Sequence, residues 1–189
     1  VTAAASARIV AYLGGHGSFS EEACRRFVPA HQLMPLRDFA SVARAVCQGS
    51  ADLALLPVSN SRVGPIATVR QLLAHPELRV VGEEVLGVRL HLLGCSGSTV
   101  DAVRRVSSHP AALVQCEAYL GERNWTVAPT TSTSEAARQV AASNDPTHAA
   151  IASEAAAVLH GLQLLSRDLQ GEAENVTRFA IVERRDQFA

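Results

Sequence analysis

The stretch "RVVGEEVLGVRLHLLGC", residues 79–95, decides how this chain is organised. It is long and strand-like, interrupted by Gly82 and Gly87, whereas the other strand candidates are short. A passage of this kind can serve as a crossover between two lobes. Around it, short apolar runs alternate with amphipathic ones, the pattern of an α/β fold with largely parallel pairing. At 189 residues and 48% hydrophobic, the chain can bury a substantial core as one domain, or as one domain of two lobes.

Before the crossover, "RIVAYLG" reads as a strand, "SEEACRRFV" as a helix and "HQLMPLR" as a strand. "DFASVARAVCQG" is a helix capped by Asp38 and closed by Gly49. "ADLALLPVSNS" is a strand running into a loop, and "PIATVRQLLAHP" is a helix with Pro65 at its start and Pro76 beyond its end. Beyond the crossover, "WTVAPT", "HAAIAS" and "TRFAIVE" are strand-like, and "PAALVQCEAYLGE", "STSEAARQVAAS" and "EAAAVLHGL" are helical. Residues 1–7 read as a flexible segment, 8–83 with 180–189 as one lobe and 84–179 as the other.

Composition removes several functions. The net charge is −1, which gives no general pull toward nucleic acid or an anionic membrane. All 17 basic residues are arginine, so Schiff-base chemistry and a phosphate-loop lysine are both excluded. Cys24, Cys47, Cys95 and Cys116 are widely spaced and read as four buried free thiols in a reducing compartment. No metal-ligand spacing and no paired acid/base carboxylates are visible, so no metal is expected. No apolar run reaches the roughly 18–20 residues of a membrane span. "VTAAASAR" is too short for a secretory signal, which makes the cytoplasm the expected location.

Chemistry is concentrated where strands hand over to helices. "GGHGSFSEEA" leaves a strand through Gly14, Gly15 and Gly17; Ser108, Ser132, Thr133, Ser134 and Ser153 stand at other helix starts. Each start offers unpaired amide groups and the positive end of a helix dipole. In open parallel sheets such starts gather at the carboxyl edges of the strands, a place suited to a small molecule carrying carboxylates. Ser and Thr at single junctions are explained by capping alone. Three glycines in four residues point further, to a close approach of the backbone to something. His109 fits capping or a ligand contact, and His16 lies in the glycine loop. His31, His75, His91, His148 and His160 read as structural, and Glu83-Glu84 as a solvated pair. In "GEAENVTRFAIVERR", residues 171–185, Thr177 and Arg178 stand where a strand begins. Either they are a strand former and a partner for Glu172 or Glu174, or they handle an oxyanionic substrate.

The order and spacing of six blocks resemble the catalytic region of the prephenate dehydratase family over nearly the whole chain. "YLGGHGSFSEEA" is similar to the family's G-P-x-G-[TS]-[FY]-[ST]-x-x-A, and "ADLALLPVSNSRVG" to its D-x-x-x-x-P-[VI]-E-N-S-x-x-G. "SSHPAALVQC" resembles S-H-P-Q-A-L-x-Q-C; "STSEAA" and "AAIAS" resemble the blocks that follow; "NVTRFAIV" resembles N-x-T-R-F-x-[VI]. The resemblance implies a two-lobed α/β fold like a type II periplasmic binding protein, with the active site in the interlobe cleft. It implies conversion of prephenate, or of arogenate, without metal or organic cofactor, by a homodimer. Family members commonly carry a C-terminal regulatory ACT domain; here the expectation is a catalytic region without one.

By the same resemblance Thr177 serves the leaving hydroxyl, while Asn60, Ser108 and Gln115 orient the substrate. Substrate contacts fall to Gly17, Ser18 and Phe19, to Ser59 and Ser61, to His109, Ser132 and Thr133, and to Arg178 and Phe179. Departures are equally specific. Ser59 replaces the family's glutamate, Ala111 a glutamine, and Gly15 and His16 a proline and an acidic residue. These changes leave two alternatives open: a prephenate decarboxylase that does not aromatise, and a ligand-binding protein that has lost turnover.

Overall fold

The computed structural model describes residues 8–171 and 174–185. Its elements form two sheets. The first has the strand order β2-β1-β3-β11-β5, built from β1 (Ile9–Leu13), β2 (Gln32–Leu36), β3 (Leu53–Asn60), β5 (Leu78–Gly87) and β11 (Val176–Arg184). A two-residue β4 (Gly64–Pro65) pairs with β3. The second has the order β10-β6-β9-β7-β8, from β6 (His91–Gly94), β7 (Arg105–Ser108), β8 (Thr126–Pro129), β9 (His148–Ala152) and β10 (Gln163–Ser166). The passage 79–95 therefore crosses from one sheet to the other, as its length suggested, and β11 brings the chain back.

That return explains one correction. Largely parallel pairing was expected, but the sheets are mixed. β1 is parallel to β2 and β3, and β7 to β8 and β9. β11 runs antiparallel to both β3 and β5, because it re-enters a sheet whose crossover strand left in the opposite direction. β6 likewise meets β9 and β10 antiparallel. The pairing of β5 with β11 continues to Gly87 and Val176, beyond the expected boundaries at 83/84 and 179/180. Gly82 does not interrupt β5; it sits beside a bulge in the pairing with Ile181 and Val182. Pro65 ends β4 rather than opening a helix, and the helix that follows starts after Ile66.

Helices cover both faces of the first sheet. α1 (Phe19–Phe27) lies over Val10, Tyr12, Leu55 and Phe179, while α2 (Phe39–Cys47) and α3 (Ala67–Leu73) enclose Ala11, Leu56, Ala180 and Val182. Burial on both faces is why β1 reads as a continuous apolar run rather than an alternation. α2 begins where Asp38 accepts from Ser41 N–H at 2.7 Å. On the second sheet, α4 (Pro110–Gln115), α5 (Glu117–Gly121), α6 (Thr133–Ser143) and α7 (Glu154–His160) close two further clusters around Leu92, Ile151, Leu93 and Ala150. Three of the four thiols are buried as expected; Cys47, at the end of α2, is only half-buried.

Candidate functional site

Because β1 and β3 are parallel, the loops that follow them lie along one edge of the first sheet. β7, β8 and β9 are parallel too, so the starts of α4, α6 and α7 share one edge of the second. The two edges face each other. Ser153, which caps α7, donates its hydroxyl to the Gly17 carbonyl at 2.9 Å across the gap. Phe19 packs against clusters of both lobes.

Gly17 shows what the glycine loop approaches closely. Its φ is +78°, and a Cβ placed on it would stand 3.0 Å from the Ala156 Cα of α7. The close partner is a helix of the opposite lobe. The Gly17 N–H donates to Glu21 Oε2 at 2.6 Å, and the other Glu21 oxygen meets His16 Nδ1 at 3.1 Å and Arg25 at 2.7 Å. Burial pushes the Glu21 carboxyl up, but the Gly17 amide, His16 and Arg25 outweigh it and hold the group below its ordinary value. Both sides of the Gly17 peptide are thus fixed, one by each lobe.

The centre of the gap is a chain of side-chain amides. Asn60 Nδ2 donates to Thr177 Oγ1 at 2.9 Å and to Asn175 Oδ1 at 3.0 Å. Asn175 Nδ2 donates in turn to Gln115 Oε1 at 2.8 Å, joining β3 of one lobe to α4 of the other. Asn60 Oδ1 accepts from the backbone N–H groups of Arg62 and Val63, which fixes the orientation of its amide. Thr177 is therefore a hydrogen-bond acceptor toward Asn60, and its own O–H proton has no acceptor among the described residues. Alternation along β3 would point Asn60 to the α2–α3 face. A bulge opposite Arg178 and Phe179 shifts the register, so that Asn60 pairs with Thr177.

The expected site residues divide accordingly. Thr177, Asn60 and Gln115 come together. Arg178 does not join them: it lies on the opposite face of β11, opposite Ser59, and meets Glu83 at 3.1 Å. Glu83 is thus its partner rather than half of a purely solvated pair; Glu172 lies outside the described residues. Ser59, paired with Arg178, likewise faces away from the Thr177 hydroxyl.

Burial and capping describe the places of the other expected site residues. Ser108 is fully buried and donates to the Ile151 carbonyl at 2.6 Å between β7 and β9. Phe179, 1% exposed, is a core residue under α1. Ser18 and Ser132 accept from Glu21 N–H and Glu135 N–H as helix caps, and His109 caps α4 through the Ala111 N–H. Thr133 opens α6 and is half-buried. Ser61 donates to the Glu174 carbonyl and accepts from the Val176 N–H, tying the β3 loop to the start of β11.

Three residues with roles in the gap were not among the expected site residues. Asn175 stands in the same "NVTRFAIV" block as Thr177, and that position was the available signal. Ser153 looked like a cap and is also the interlobe bond. Glu21 gave no signal, because its role depends on a backbone amide four residues away. Among the described residues, one group could hold a metal, Cys47 with His75 and Glu77, and it lies away from this gap. No described helix is long and apolar enough to cross a membrane.

Comparison with known proteins agrees with the two-sheet fold. The family model for prephenate dehydratase matches residues 10–187. The bifunctional N-acyl-homoserine lactone acylase/prephenate dehydratase of Komagataeibacter europaeus is 36% identical over 178 residues, 94% of this chain and 63% of that protein. The chloroplastic arogenate dehydratase/prephenate dehydratase 2 of Arabidopsis thaliana is 39% identical over 175 residues, 93% of this chain and 46% of the relative. The chain therefore spans about half to under two thirds of the length of these relatives. The prephenate dehydratase of Arthrobacter aurescens, solved with L-Phe, superposes with a TM-score of 0.85 at 25% identity, covering 96% of this chain and 61% of that one. A periplasmic substrate-binding protein of a Coxiella burnetii ABC transporter shares the fold alone. Its TM-score is 0.50 at 10% identity, over 94% of this chain and 85% of that one.

Proposed function

Since the chain belongs to the prephenate dehydratase family, we propose that it converts prephenate to phenylpyruvate, water and CO2. The reading rests above all on the Thr177 hydroxyl, which accepts from Asn60 and keeps its own proton to donate. Prephenate carries two carboxylates and an allylic hydroxyl on a cyclohexadiene ring. When the ring carboxylate leaves as CO2, the electrons of its C–C bond enter the ring and those of the C–O bond depart with the hydroxyl oxygen. That oxygen needs one proton, drawn finally from solvent, to leave as water. Aromatisation drives the step, so the protein's part is to stabilise the departing oxygen. Threonine is a weak acid, and it serves here by positioned hydrogen bonding. Asn60 polarises the Thr177 hydroxyl by donating to it, which strengthens the bond the hydroxyl makes in turn.

The amide chain through Asn175 to Gln115 supports an orienting role for these residues, because it holds the hydroxyl between two lobes. The first turn of α6, with Ser132 and Thr133, offers amide groups and a positive dipole end for a carboxylate. Arg178 contributes from the opposite face and is not a direct partner of Thr177 in this reading. Ser59 faces Arg178, so its replacement of the family's glutamate leaves the Thr177 network whole, which supports dehydration over a non-aromatising decarboxylation. The Arabidopsis relative is named for both arogenate and prephenate dehydration, and arogenate is the second substrate to test. A cytoplasmic homodimer accompanies the family reading; light scattering of the purified chain checks the dimer.

The test is incubation with prephenate, and in parallel arogenate, at neutral pH, with products followed by absorbance and mass. Phenylpyruvate forming above the spontaneous rate is expected. Thr177→Ala should lower turnover at least about tenfold, the low end of what positioned proton donation supplies, while Thr177→Ser retains most of it. A non-aromatic keto acid, or tight binding without consumption, would overturn the reading.

A further inference from the structure

Cys47, His75 and Glu77 take no part in the cleft, yet three separate constraints bring them together. Cys47 ends α2. His75 and Glu77 flank Pro76 in the turn between α3 and β5, where the Leu78 N–H donates to the His75 carbonyl at 3.0 Å. Proline at the second position of such a turn presets its backbone, so both side chains are held in place relative to α2. One thiol sulfur, one ring nitrogen and one carboxylate oxygen lie within 4.8 Å of one another. They border a cavity of about 560 Å³ that Arg44, Gln48 and Gln71 also line. It is larger than the cavity of about 480 Å³ beside Asn175 and Val176.

We propose that this cluster is a binding site for a divalent transition metal, Zn²⁺ by preference. A thiolate, an imidazole and a carboxylate form a borderline-soft donor set, which selects Zn²⁺ or Co²⁺ and rejects Mg²⁺ and Ca²⁺. Three protein ligands with water in the fourth place make a familiar tetrahedral arrangement. Metal–ligand lengths of about 2.0–2.3 Å put neighbouring ligand atoms about 3.3–3.7 Å apart, so side-chain movement of about 1 Å closes the sphere. Binding displaces one proton from Cys47 to solvent, forming the Sγ–metal bond. It also ends the 3.3 Å hydrogen bond from the Glu77 N–H to His75 Nδ1, because a ring bound through either nitrogen no longer offers Nδ1 as an acceptor. Thiolate and carboxylate together balance the dication, which leaves no excess charge against Arg44.

The site is remote from the cleft. Leu78, next to Glu77, pairs with Arg184, and Thr177 lies seven residues back along the same strand, about 23 Å at 3.3 Å per residue. The metal would thus join the end of α2 to the α3–β5 turn, stapling one lobe without touching substrate. Sequence spacing could not reveal the site, because Cys47 and His75 lie on different helix ends.

The test uses the full, untagged chain after treatment with a chelator. Zn²⁺ is titrated against a chelating indicator, and Co²⁺ is used for absorbance spectroscopy. One equivalent of Zn²⁺, a thiolate-to-cobalt charge-transfer band, and protection of Cys47 from alkylation by Zn²⁺ but not Mg²⁺ are expected. Cys47→Ser and His75→Gln should each weaken binding at least about a hundredfold, the upper end of what is lost on disturbing a supporting group, and leave turnover unchanged. His75 is exposed, so its variant keeps the test valid if Cys47→Ser folds poorly. Absence of uptake, absence of the band, or uptake that survives both substitutions would overturn the proposal.

Discussion

The amide of Asn60 determines what the Thr177 hydroxyl can do. Its oxygen is committed to two backbone N–H groups, so only its nitrogen reaches Thr177, and the threonine proton points elsewhere. Asn175 holds that arrangement from the other side. Asn175→Ala should lower turnover about tenfold or more by freeing Asn60 and Gln115, a loss of orientation that steady-state kinetics would register mainly in kcat. Asn175→Asp is different: its carboxylate can accept from Asn60 and from a reoriented Gln115 amide. Turnover should then survive, while a like charge near a dianionic substrate raises KM by about tenfold. Equal kinetics for both variants and the parent chain would remove Asn175 from the site. Thr177, Asn60 and Gln115 stand in the motif positions that the family resemblance points to, and the fold joins them in one hydrogen-bonded chain through Asn175. Ser108 and Phe179 occupy such positions too, but sheet register buries them, and register is not written in a motif. Arg178 shows the same limit. Adjacent to Thr177 in the chain, it emerges from the other face because strand side chains alternate.

Two elements carry the geometry of the gap. The bulge in β3 converts a strand that would have sent Asn60 into the α2–α3 layer into one that sends it to Thr177. The glycine loop meets α7 so closely that Gly17 has both a left-handed backbone and no room for a side chain. Gly17→Ala should therefore cost about 1–3 kcal/mol in chemical denaturation, the usual range for a non-glycine residue held in such a conformation. It should also raise KM, because the added methyl pushes against Ala156 and parts the two edges. A variant with unchanged stability and KM would mean the contact is dispensable. Helix and strand positions followed closely from apolar periodicity and capping residues. β7 and β10 have no clear mark in the sequence, because "RVSS" and "QLLS" are only four residues long and each ends in serine. Strand direction in the sheets was misread because it depends on where β11 returns, a long-range event with no local mark.

For the whole molecule, stability depends on pH through groups buried in both lobes. His91 and His148 lie in the second sheet, and burial holds both below the ordinary imidazole value. Unfolded, these rings take up protons from about pH 6.5 downward, whereas the folded rings do so only at lower pH. Their contribution is therefore complete above that point and is lost as pH falls toward the folded values. Glu21 acts in the same sense at more acid pH, since a depressed carboxyl stabilises the fold above its unfolded pKa and ceases to as it protonates. Scanning calorimetry should show the thermal midpoint falling between pH 7 and pH 5, and a flat profile would contradict this account. The two-lobed plan itself was legible, since one strand-like passage was too long for a single sheet. The order in which the lobes are completed follows from the position of β11. This strand lies between β3 and β5 and pairs with both, yet among the described strands it comes last in chain order. A ribosome releases residues 91–166 as an uninterrupted second sheet while β3 and β5 are still waiting for the strand that joins them. The lobe that begins first is finished last, and until then its unpaired strands are the part of the nascent chain a chaperone would have to guard.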